Sequence, residues 1–112
     1  MAIHQTEVLH QTKRGYTLWC TSCRDIQVGF GNMLLVHSLK GFRNFKDYVD
    51  GLQEDSTHFE SPLNRNIYIR MAGMDFGYCL SGKELLELKE LLDLTMGAIS
   101  VKGMIEQVLQ EK

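Results

Sequence analysis

Cys20 and Cys23, in the run Trp19-Cys20-Thr21-Ser22-Cys23, have the types and spacing in this chain best suited to chemistry. Thiolates at this spacing reach one metal ion together, because a tight turn between them aims both sulfurs the same way. A tetrahedral zinc site needs four donors, and no second C-x-x-C or H-x-x-x-H follows. The residues available to complete a zinc site are Cys79, His10 and His58, with His4 and His37 also present. Cys79 is the expected third ligand, since strand alternation puts it on the sheet face of Cys20 and Cys23 while His37 points to the core. His10 or His58 is then the fourth, and two-plus-two ligation across a dimer is another route. The plain alternative is a pair of small thiols at a hairpin turn.

The same five residues superficially resemble the W-C-x-x-C site of thioredoxin-like proteins. There the first cysteine sits at a helix N-terminus, which lowers its pKa. Here the second cysteine is followed by Arg24-Asp25-Ile26-Gln27-Val28-Gly29-Phe30, a strand pattern. Thiol redox chemistry is therefore a further alternative only. Arg24 stands where a c-type haem site needs histidine. There is no phosphate-cradling glycine loop, no G-x-S-x-G, no H-E-x-x-H and no carboxylate pair suited to acid–base work. Asp25, Asp75 and Glu84 read as turn and cap residues. The sequence offers no positive evidence of an enzyme.

The elements that position these residues follow from periodicity. Residues 3–10 and 16–20 are short and β-rich, separated by a turn-like QTKRG. Ile26, Val28 and Phe30 alternate, and Gly31-Asn32 is a two-residue hairpin connection to Met33–Ser38. That loop sets Phe30 opposite Met33, Val28 opposite Leu35 and Ile26 opposite His37, on a face bound for the core. If residues 20–23 are a two-residue hairpin as well, Leu18, Cys20 and Cys23 lie on the opposite face with Gln27, Leu34 and Val36. Ser38 caps a helix whose stripe is Phe42, Phe45, Val49 and Leu52, ending near Gly51. A polar loop over 53–66 follows, containing the single proline. Strands over 67–71 and 76–80 then lead into a helix opened by the capping box Ser81–Glu84.

The halves 24–52 and 66–96 match in order: Ile26 and Val28 correspond to Ile67 and Ile69, and Ser38, Phe42 and Phe45 to Ser81, Leu85 and Leu88. The expected architecture is α+β in a single domain over 1–112. An antiparallel sheet of about six strands is built from an N-terminal hairpin and two ββα units, with the helices packed on one sheet face. Gly97 is expected to break the second helix, leaving 97–112 as a helical tail.

A chain of 112 residues is of ordinary single-domain size, and 44% hydrophobic with 23% charged residues is an ordinary globular composition. The net charge of −2, with basic residues scattered, disfavours nucleic-acid binding. No apolar run is long enough to span a membrane, and the pattern of residues 1–15 leads us to expect no secretory leader. The odd count of three cysteines does not suit a disulfide framework, so a cytoplasmic, reduced protein is expected. Leu18, Leu34 and Val36 on an uncovered sheet face would form an association surface, which points to a homodimer or another protein partner.

The succession C-x-x-C, IQVGFGNMLLVHS, F-x-x-F, IYIR and a leucine- and lysine-rich helix resembles a family of small uncharacterised bacterial proteins. Its members carry a C-x-x-C ahead of an FGN-turn hairpin. The resemblance covers about residues 16–95, leaves the stretch beyond 96 outside, and implies a bacterial origin with no assigned activity. The expected function is a non-enzymatic interaction or scaffold domain that forms a homodimer, with zinc binding at Cys20–Cys23 as the alternative.

Overall fold

Alternation along the strands Asp25–Phe30 and Met33–Ser38 decides which side of the sheet becomes core. Ile26, Val28, Phe30, Met33 and Leu35 point one way and are buried, while Leu34 and Val36 point the other way and are exposed. The computed structural model describes residues 5–53, 64–70, 73, 75 and 77–103. Its elements are β1 (Thr6–Gln11), β2 (Gly15–Cys20), β3 (Asp25–Phe30), β4 (Met33–Ser38), α1 (Leu39–Asp50), β5 (Ile67–Arg70), β6 (Gly77–Leu80) and α2 (Gly82–Val101). The β3–β4 register is the expected one, with Phe30 opposite Met33 and Ile26 opposite His37. Gly31 holds φ at 57° and Asn32 does not share that region, the pattern of a type II′ turn.

The fold is mixed α+β, and all the strand pairs are antiparallel. The strands do not form one six-stranded sheet. β1-β2-β3-β4 make a four-stranded meander, and β5-β6 form a separate two-stranded ribbon. Each ribbon strand has only four residues. The ribbon joins the molecule through side chains, with Ile67, Ile69 and Leu80 buried in the common core. Along β1 a bulge interrupts the register between Val8 and His10.

Both helices begin on a serine cap. Ser38 Oγ accepts from the Gly41 amide at 3.0 Å. In α2 the box is reciprocal: Glu84 N–H donates to Ser81 Oγ at 3.1 Å and Ser81 N–H donates to Glu84 Oε1 at 2.9 Å. Leu39, Phe42, Phe45 and Val49 bury the inner stripe of α1; Leu85, Leu88, Leu91, Leu92, Thr95 and Ile99 bury that of α2. Each large apolar side chain so buried contributes about 1.5–3 kcal/mol.

Gly97 does not break the second helix, which runs on to Val101. A mid-helix glycine costs only about 1 kcal/mol. Ile99, two residues beyond it, is fully buried, and that burial offsets the cost. Residues 97–101 thus belong to α2, Lys102 caps its end, and the expected tail from 104 to 112 lies outside the described residues. So does most of the 53–66 loop.

α1 packs on β3 and β4, and α2 on β1, β2 and β6, so the helices share one face of the four-stranded sheet. Lys46 of α1 bridges to Asp93 of α2 at 2.8 Å as well as to Asp50 at 2.6 Å. Arg70 N–H of β5 donates to the Tyr48 hydroxyl of α1 at 3.0 Å. Among the described residues, no helix is long and apolar enough to cross a membrane.

Candidate functional site

The β2–β3 connection is where thiols and a carboxylate meet. Cys20 ends β2 and pairs directly with Asp25, which begins β3, so the turn is the four residues 21–24 and not a two-residue hairpin. Cys20 and Leu18 do lie on the face opposite the helices, as expected, but Cys23 sits within the turn and outside the ladder. Arg24 N–H donates to the Cys20 carbonyl at 2.8 Å, closing the turn, and Thr21 N–H donates to the Gln5 carbonyl at 2.9 Å. Arg24 adopts φ of 57°, a left-handed conformation that costs a non-glycine residue about 1–2 kcal/mol.

That turn wraps the Cys20 sulfur. The Cys23 amide donates to Cys20 Sγ at 3.3 Å, and the Ser22 hydroxyl lies 3.4 Å from the same atom. Cys20 is fully buried, and Cys23 is exposed. The two sulfurs and a carboxylate oxygen of Asp25 all lie within 4.8 Å of one another. Asp25 Oδ1 is buried and has no hydrogen-bond partner among the described residues.

The hydrogen bond to Cys20 is the main influence holding the Cys23 thiol above its ordinary pKa. An exchange nucleophile needs the reverse, a lowered pKa on an accessible sulfur. Cys20 is buried, and the pair lies between two strands and not at a helix N-terminus. The redox alternative gains nothing from this geometry.

The other expected ligands lie elsewhere. Cys79 is exposed on β6 opposite Tyr68 and lines a cleft with Asn32, Arg14 and Arg65. Asn32 is at the far end of β3 and β4, roughly 17 Å along the strands from the Cys20 turn. In that cleft Arg14 pairs with Glu87 at 3.0 Å and Arg65 with Glu84 at 3.0 Å. His10 pairs with Thr17, three residues or roughly 10 Å along β2 from Cys20. Neither Cys79 nor His10 joins the donor group. His37 stacks on Phe45 with ring centroids 5.0 Å apart, on the helix side of the sheet. His4 and His58 lie outside the described residues.

A second feature is the face of the sheet turned away from the helices. Val8 is 57% exposed, Leu34 57% and Val36 55%, and half-buried Leu18 lies between β1 and β3 on the same side. The Tyr16 ring lies over Gly29, where a Cβ would come within 2.4 Å of it. Of the strand positions on this face, only Asp25 carries a charge.

The model of a family described as "Family of unknown function (DUF6686)" matches residues 1–107. The chain belongs to that family. The match extends past residue 96, beyond the stretch on which the motif resemblance rests. Neither a curated protein nor a solved structure matches the chain.

Sequence reasoning missed Asp25 in this DUF6686 chain, reading it only as a turn residue. The available signal was its place two residues after Cys23: a four-residue connection sets it directly across from Cys20. Recognising this needed the turn length, which C-x-x-C spacing alone does not give.

Proposed function

We propose that this chain is a non-enzymatic interaction domain that pairs with a second copy of itself through the open face of its four-stranded sheet. The observation that carries the reading is the exposure of Val8, Leu34 and Val36 on one side while both helices occupy the other. Branched apolar side chains grouped on one flat surface favour association, since burying each one removes it from water. The occupant is argued from charge. Asp25 at one end is the face's single charged strand residue, so two copies meet without like-charge repulsion and without needing a complementary partner. Sedimentation equilibrium tests this. Wild-type protein should form dimers, and Leu34→Arg and Val36→Glu should sediment as monomers with unchanged circular dichroism. A wild-type chain that stays monomeric up to about 100 μM, weaker than typical specific interfaces, overturns the reading.

A second reading is metal binding at Cys20 and Cys23, favoured by the sulfur pair and by the Cys23 amide aimed at Cys20 Sγ. An N–H so placed stabilises a thiolate, the form a metal needs. Elemental mass spectrometry of reduced, untagged protein tests it. Near-stoichiometric zinc that is lost in Cys20→Ser supports the site, and protein without metal ends it.

A further inference from the structure

We propose that Asp25 is the third protein ligand of a zinc-class cation held by Cys20 and Cys23; this rests on the metal reading and specifies its donor set. The backbone places the carboxylate. Cys20 and Asp25 are direct partners in the β2–β3 ladder, so both side chains leave the sheet on the same face, with Cβ atoms about 4.5–5.5 Å apart. Cys23 approaches from the turn above them. Two donors therefore stand on rigid strands and the third on a four-residue loop.

The dimensions fit. Zinc bonds of about 2.3 Å to sulfur and 2.0–2.2 Å to a carboxylate oxygen place tetrahedral neighbours roughly 3.5–3.8 Å apart. The three donors lie within 4.8 Å of one another, so closing on an ion needs side-chain movement of about an ångström.

The chemistry of the donors selects the ion. Two thiolates and one carboxylate suit zinc and its borderline-soft neighbours, whereas magnesium and calcium want all-oxygen shells. Asp25 Oδ1 supplies the independent observation. It is a buried acceptor with no hydrogen-bond partner among the described residues, a state that costs about 1–3 kcal/mol and that a cation would relieve. The strained Arg24 backbone holds the turn over the same spot, as backbone strain often does at binding sites. Three protein donors leave one tetrahedral position for a water molecule or another ligand.

Cobalt titration of the full-length reduced protein, followed by zinc competition, tests the assignment. Wild type should show near-ultraviolet sulfur-to-cobalt charge transfer with the visible bands of a tetrahedral ion. Asp25→Asn keeps the side-chain shape, so it should retain the charge transfer, alter the visible bands and bind zinc about 100-fold more weakly or worse, since even second-layer partners of metal ligands are worth 10–100-fold. Cys23→Ser, in the exposed turn, should lower the charge-transfer intensity. Unchanged zinc affinity and spectrum in Asp25→Asn overturn the Asp25 assignment and leave the cysteine pair standing. Absence of charge transfer in folded wild type overturns both.

Discussion

Thr17 on β2 and Thr95 on α2 share a hydrogen bond of 2.7 Å with both side chains fully buried. Thr95 Oγ1 also donates to the Leu91 carbonyl at 2.7 Å. Its single proton is thereby committed, which makes Thr17 the donor to Thr95. Thr95→Val leaves the Thr17 hydroxyl buried without its acceptor and should lower stability by about 1–3 kcal/mol. The double variant Thr17→Val/Thr95→Val removes both polar groups and should recover much of that loss. Urea denaturation of these two variants and of the single variant Thr17→Val measures the coupling. A double variant as unstable as the sum of the singles would show that the threonines act independently.

His37 gives the fold a sensitivity to mild acid. Burial against Phe45 lowers its pKa from the ordinary 6.5, and its Nε2 is buried with no partner among the described residues. A histidine with a lowered folded pKa accepts its proton first in the unfolded chain. Its contribution to stability is complete above about 6.5 and is lost as the pH falls through the lower, folded value. The denaturation midpoint should drop as the pH falls below about 6.5, and His37→Phe should flatten that drop. An equally steep fall in the variant would assign the effect to other groups.

The Ser81 cap should show in both stability and pH dependence. Burial by itself would raise the Glu84 pKa, but hydrogen bonds from the Ser81 backbone and from Arg65 outweigh it, and the net shift is downward from 4.5. Glu84 therefore stabilises the fold above the unfolded value near 4.5, and that contribution disappears as pH falls through the lower folded pKa. Ser81→Ala should cost about 1 kcal/mol at neutral pH. Glu84→Gln should shallow the acid limb of the stability curve. Both are read by thermal unfolding across pH.

Two glycines beneath tyrosines should differ in tolerance. A Cβ at Gly29 meets the half-free ring of Tyr16, which can swing outward. A Cβ at Gly77 meets the Ile69 carbonyl at 2.3 Å, and that backbone oxygen cannot move without disturbing the ribbon. Gly77→Ala should therefore destabilise more than Gly29→Ala, by about 1 kcal/mol or more in melting experiments.

Much of the architecture was legible because it is local. The Gly31-Asn32 loop dictated the β3–β4 register, and Ser38 and Ser81 announced their helices through short-range hydrogen bonds. Whether the second hairpin would add to the first sheet depended on distant packing, which no short pattern encodes. Gly97 shows the same limit: its helix propensity was readable, but the burial of Ile99 that overrides it was not. At the candidate site, C-x-x-C marked the sulfurs, and parity placed Cys79 on a comparable face. Parity carries no distance along a strand, so Cys79 at the far end and Asp25 across the ladder were beyond its reach.

The one-sidedness of the four-stranded sheet limits how far self-association can go. Each copy has a helix-covered side and an open side, and joining two open sides uses up both. Neither copy would then have an open sheet face left to recruit a third chain through the same contact. The β1 bulge also disrupts the regular ladder at one outer strand, a feature that discourages extension by strand addition. Self-association of the proposed kind would therefore stop at two and would not grow into a filament.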